Sequence, residues 1–125
     1  MNKLKREILR SAFLHYVALN PNIMKTRQIE IRYTKSSRVM GFVRAKKNDR
    51  YIICLSSRFK KWDTVSTLFH ELTHVLQFLS GKLSHNKKGD LIWKGKKYDY
   101  LNCPFEIQAR KNERKLLKGF KKLKP

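Results

Sequence analysis

The segment Phe69-His70-Glu71-Leu72-Thr73-His74-Val75-Leu76-Gln77 lies inside a longer run, residues 63–81, that begins at Asp63 and ends at Gly81. Val65, Leu68, Phe69, Leu72, Val75, Leu76 and Leu79 recur there at the spacing of one helical side. Asp63 reads as the cap that opens this helix and Gly81 as the residue that ends it. His70, His74 and Gln77 form a polar stripe on an otherwise apolar helix. Residues four apart share a face, so both imidazoles can reach one ion. Glu71 is one step from His70 and three from His74, and its carboxylate reaches toward the same ion without having to ligate it. Two imidazoles and a carboxylate are costly to bury without partners, which makes a shared ion the economical explanation. Neutral imidazoles suit Zn²⁺, which in catalytic sites takes three protein ligands and keeps one position for water. The metal lowers the pKa of that water and a neighbouring carboxylate accepts its proton. Shuffling this composition produces the H-E-x-x-H arrangement about once in two hundred sequences.

Working outward, Leu4, Ile8, Ala12, Tyr16 and Leu19 predict a helix over residues 2–19, stopped by Asn20-Pro21. Ile29, Ile31 and Tyr33 alternate with Gln28, Glu30 and Arg32, which is strand periodicity. Turns at Ser36-Ser37 and Asn48-Asp49 separate two further apolar runs, Val39 to Val43 and Tyr51 to Leu55, and short turns of this kind predict an antiparallel meander. Gly41 inside the second run suggests a bulge. Beyond Gly81, Leu91-Ile92-Trp93 and Lys96-Lys97-Tyr98 can pair across Lys94-Gly95 as a hairpin. Pro104 opens a last helix running to about Leu117. The expected fold is α+β: an N-terminal helix, a three-stranded and mainly antiparallel sheet, the H-E-x-x-H helix, a hairpin and a C-terminal helix.

Two histidines leave a third ligand to be found. His85, Glu106, Glu113, Asp90 and Asp99 are the candidates, and spacing alone does not choose among them. Glu113 lies two turns beyond Glu106, on the same helical face as Glu106 and Arg110. Glu106 is also well placed as a first-turn acid facing the helix dipole, the commoner role for such a residue. Gln77 reads either as an orienting partner for His74 or as a helix surface residue. Tyr98, Tyr100, Arg110 and His85 are candidates to stabilise an oxyanion, and Arg110, four residues from Glu106, can instead hold that carboxylate in place. His15 reads as structural.

The order His70-Glu71-Leu72-Thr73-His74-Val75-Leu76-Gln77, then Trp93-Lys94-Gly95 and Tyr98, then Pro104-Phe105-Glu106-Ile107-Gln108-Ala109-Arg110 resembles a group of small phage-type metallopeptidases, compact gluzincins. The resemblance spans residues 62–110. It implies a minimal zincin-like fold, that Glu106 is the third zinc ligand, that Glu71 is the general base, and that the substrate is polypeptide. It also implies that a strand in the place of Tyr51 to Leu55 borders the cleft and pairs with an extended peptide. Cys103 lies close enough in sequence to Glu106 for its thiol to be oxidised or to coordinate adventitiously. A competing resemblance is to SprT-like, DNA-associated proteases, which would take a third histidine. His85 lacks the Gly-x-Glu-Phe neighbourhood expected there, and the chain has no zinc-ribbon cysteines.

The chain has 125 residues, enough for one domain, here with a basic C-terminal tail over about 114–125. Thirty Lys and Arg face nine Asp and Glu, a net charge of +21. Such a field attracts nucleic acid or an acidic protein partner, and it equally suits a solvated surface or a basic component of a phage particle whose site is idle. Two cysteines, Cys54 and Cys103, without a CxxC pair, exclude a cysteine-built zinc site. Lys3, Lys5, Arg6 and Glu7 break any apolar leader, and no stretch has the apolar length of a membrane span. The location expected is intracellular, the host cytoplasm, or a phage virion.

Overall fold

The computed structural model describes residues 1–98 and 103–123. Helix α1 (Lys3–Leu19) opens where the Asn2 side chain accepts from the Lys5 amide at 2.8 Å. A 3-10 turn over Pro21–Lys25 follows, then strands β1 (Gln28–Thr34), β2 (Gly41–Lys46) and β3 (Arg50–Ser56), and helix α2 (Lys61–Leu79). Three short strands, β4 (Leu83–His85), β5 (Leu91–Trp93) and β6 (Lys96–Lys97), form a second sheet, and helix α3 (Pro104–Leu123) closes the order. The α+β class and the order of helices, sheet and hairpin agree with the sequence reading. No helix among the described residues is long and apolar enough to cross a membrane.

The pairing of the first sheet differs from a meander. Its order is β1-β3-β2, with β1 parallel and β2 antiparallel to β3. Asn48 and Asp49 both have positive φ, as a tight hairpin turn requires, and this joins β2 to β3. The run Tyr51–Leu55 is buried along nearly its whole length, and β3 takes the centre, flanked by β1 and β2, with Tyr51, Ile53 and Leu55 on the core face. β1, which carries Glu30 and Arg32, is left for the outer edge. The connection 35–40 crosses the end of β3, fastened by Ser56 N–H to Met40 O and Ser57 N–H to Thr34 O, each 2.8 Å. β2 accordingly starts at Gly41 rather than Val39. Gly41 marks a close approach instead of a bulge: a Cβ there would lie 2.7 Å from Thr67 Cγ2 and 2.8 Å from Cys54 O.

The helices shift in detail. α2 begins at Lys61 after Lys60, so Asp63 sits inside its first turn rather than capping it; it still complements the dipole there. The helix ends at Leu79, with Gly81 at φ 81° just past the end. α3 runs through Leu123, so most of the segment expected as a basic tail is helical. In α1, Leu9, Ala12 and Tyr16 are buried, whereas Leu4 and Leu19 stay exposed.

α2 is the hub, packed on α1, α3, β2 and β3. The main core joins Leu9 and Tyr16 of α1, Ile53 and Leu55 of β3, Leu68, Phe69, Leu72 and Val75 of α2, and Phe120 of α3. Each such side chain contributes about 1.5–3 kcal/mol through burial. A second cluster of Leu83, Trp93, Cys103 and Phe105 anchors the other end of α3 to the small sheet. The final helix is thus held at Phe105 and again at Phe120, which fixes how the residues between them face α2. Cys54 and Cys103 are both buried and form no disulfide.

Candidate metal centre

α2 and α3 pack side by side, and the stripe of α2 that carries His70 and His74 faces the first turns of α3. The two Nε2 atoms lie 3.1 Å apart. Glu106 Oε1 is 2.5 Å from His74 Nε2, and Glu106 Oε2 is 3.3 Å from His70 Nε2. His70, His74 and Glu106 are the group, among the described residues, whose ligand atoms all lie within 4.8 Å of one another.

The outward-turned nitrogens of both rings are also engaged. Gln77 Nε2 donates to Phe105 O at 3.0 Å and to Gln108 Oε1 at 2.8 Å. Its oxygen is therefore the atom turned to His74 Nδ1, 2.7 Å away, and it accepts the proton there. Glu113 Oε1 lies 2.9 Å from His70 Nδ1, while its Oε2 accepts from Ser66 Oγ at 2.6 Å. With both Nδ1 atoms donating, both Nε2 lone pairs point at each other and at a carboxylate. Such a cluster calls for a cation or for protons. Two tetrahedral ligands at about 2.0–2.1 Å from Zn²⁺ stand roughly 3.3 Å apart, so the 3.1 Å between the nitrogens fits that ion.

Without a metal, protons carry the positive charge. Burial opposes a charged His70 ring, but hydrogen bonds with Glu106 and Glu113 outweigh it and push its pKa up to about 10. Burial likewise works to raise Glu106 and Glu113, yet their hydrogen bonds, with His70 and His74 for Glu106 and with His70 and Ser66 for Glu113, hold both below the usual carboxylate range. Glu71, 6% exposed, is pushed up by its burial, against the pull of His74 and His70.

These groups open into a cleft of 590 Å³ lined by His70, Glu71, His74, Glu106 and Glu113, by Met40–Val43 at the start of β2, and by Phe78, Leu83, Leu91 and Phe105. That size is ordinary for a ligand site. The strand along the cleft is β2, whose outer edge is unpaired among the described residues; β3, paired on both sides, has no edge to offer an extended peptide.

The other candidates from the sequence are distributed as follows. His85 lines the cleft from β4 but stacks on Phe78, ring centroids 5.3 Å apart, and stands outside the three-residue group. Asp90 pairs with Lys97 at 3.3 Å on the small sheet. Arg110 Nη2 is 4.0 Å from Glu106 Oε2, a position from which it steadies that carboxylate. Tyr98 packs against the second apolar cluster, with Lys96 Nζ 5.3 Å from its ring centroid. Asp99 and Tyr100 fall outside the described residues. His15 packs on Phe120, ring centroids 5.3 Å apart, a structural role. Sequence reading named Glu113 only as one more carboxylate and gave Ser66 and Gln108 no role. The available signals were spacings: Glu113 lies seven residues past Glu106, and Ser66 four before His70.

No protein-family model, curated protein or solved structure matches the chain.

Proposed function

We propose that this chain is a zinc-dependent peptidase of minimal zincin type, with His70, His74 and Glu106 as metal ligands and Glu71 as general base. The observation that carries the reading is the convergence of two Nε2 atoms, 3.1 Å apart, on the Glu106 carboxylate, each ring held from behind by a hydrogen-bond acceptor. When bound, Zn²⁺ would supply Lewis-acid activation of a water molecule and polarisation of a peptide carbonyl. Glu71 lies on the same cleft wall, beside His70 in sequence, and takes the proton of the attacking water at its carboxylate, later returning it to the departing amine. Its burial keeps bulk water from competing for that proton. The free edge of β2 at Met40–Val43 supplies main-chain groups for an extended polypeptide, and the Phe78, Leu83 and Leu91 side chains supply apolar contacts. Of the oxyanion candidates among the described residues, His85 is the one that reaches the cleft.

The test is cleavage of a denatured protein mixture by the zinc-loaded chain, compared with Glu71→Gln. The amide keeps the size and reach of Glu71 but accepts no proton. Cleavage should fall by about 10²- to 10⁴-fold while zinc content and fold are retained. Equal cleavage by both proteins, or none by the zinc-loaded parent, would overturn the reading.

A further inference from the structure

We propose that the outer face of α3 binds the phosphate backbone of nucleic acid. Arg110, Lys111, Arg114, Lys115, Lys118, Lys121 and Lys122 are all exposed, and they recur every three or four residues along one side of the helix. From Arg110 to Lys122 the ridge spans about 18 Å at 1.5 Å per residue. A duplex segment of that length presents about ten phosphates. The two acids of α3, Glu106 and Glu113, turn the other way, toward His70 and His74, so they do not interrupt the ridge. Among the described residues, only Arg110 of these seven cations has an ion-pair partner, at 4.0 Å. Lys121 lies 5.2 Å from the centre of the Trp62 ring, which sets the ridge against the start of α2.

The make-up of this face selects among polyanions. The cores of protein–protein interfaces are depleted of Lys and enriched in aromatic residues. An interfacial membrane helix needs large apolar side chains beside its cations. The exposed face of α3 has such side chains only near its ends, Ile107 and Leu123. A ladder of Lys and Arg along one helix is the footprint expected for phosphate contacts, which position a nucleic acid without reading its sequence.

The test is binding of the full-length chain to a labelled, mixed-sequence DNA duplex as salt rises from about 50 to 200 mM. The ridge variant replaces Lys111, Arg114, Lys115 and Lys118 by Gln, a good helix former, and leaves the metal site untouched. A control replaces the exposed Lys25, Arg27, Lys46 and Lys47 by Gln, with the same change in net charge. The ridge variant should lose on the order of 10²-fold in affinity at low salt. Its log–log salt slope should flatten by about 3.6, at roughly 0.9 for each phosphate no longer neutralised, with little change in the control. Equal losses in both variants would overturn the surface assignment, leaving only net charge. Absence of duplex binding at low salt overturns the proposal, as does ridge-dependent binding of polyglutamate or anionic vesicles without binding of DNA.

Discussion

Glu113 and His70 are joined at 2.9 Å, carboxylate Oε1 to ring Nδ1, and the other carboxylate oxygen is held by Ser66. This contact fixes the tautomer of His70 and aims Nε2 at Glu106. Acceptors of this kind raise the basicity of a metal-bound imidazole, and their removal typically costs 10–100-fold in metal affinity.

Glu113→Ala should therefore weaken zinc binding by about 10- to 100-fold in a competition titration against a chelator. Glu113→Gln should cost less, because its amide oxygen can still accept from Nδ1–H. Unchanged affinity in the alanine variant would show that His70 is oriented by its packing alone.

Gln77 is buried and uses both ends of its amide, one on His74 and the other on Phe105 O and Gln108. Gln77→Leu leaves the His74 Nδ1–H and the Phe105 carbonyl without this partner. It should destabilise the fold by about 2–3 kcal/mol in denaturant unfolding, since buried polar groups then lose their hydrogen bonds. A change below about 0.5 kcal/mol, the range of a surface substitution, would mean that water takes over both contacts.

The reach of the sequence can be judged from these same residues. His70, Glu71 and His74 were legible because their relation is local: a helix fixes which side chains share a face. The partner on α3 was open by spacing alone, because residues 80–103 separate the helices and no periodicity runs across a connection. Glu106 stood out only through a resemblance in the Pro104–Arg110 segment. The strand order was hidden for a related reason. Alternation in β1 and the turn at Asn48-Asp49 identify strands, but they do not say which strand is central. The unbroken apolar run Tyr51–Leu55 was the available clue, since the strand flanked on both sides is the most buried of the three. The role of Gly41 depends on Thr67, 26 positions away, and becomes visible only in three dimensions.

Gly41→Ala should be destabilising by about 1–3 kcal/mol, the usual cost of forcing a methyl into a packed contact. The added Cβ meets Thr67 Cγ2 and the Cys54 carbonyl, and the second of these belongs to the central strand and cannot swing aside. Pairing it with Thr67→Ser removes only the first obstacle, so the double variant should recover part of the loss. Full recovery, or no initial loss, in urea unfolding would mean that β2 moves freely relative to α2. A mobile β2 would also be a poor platform for an extended peptide along the cleft.

The ligand set gives the last prediction. His74→Ala and Glu106→Ala should each remove most of the zinc from the purified chain, whereas His85→Ala should keep it, because His85 stacks on Phe78 outside the three-residue group. Stability provides an independent readout. A ligand that binds only the folded state stabilises it by about 2.7 kcal/mol when present at one hundred times its dissociation constant. Adding zinc should thus raise the melting temperature of the parent and of His85→Ala, with little rise for His74→Ala or Glu106→Ala. Each variant serves as its own reference in this measurement, so any intrinsic cost of the substitution cancels. Zinc retained by Glu106→Ala but lost from His85→Ala would move the third ligand to β4, and the pairing of α2 with α3 at Glu106 would then be a structural contact between helices.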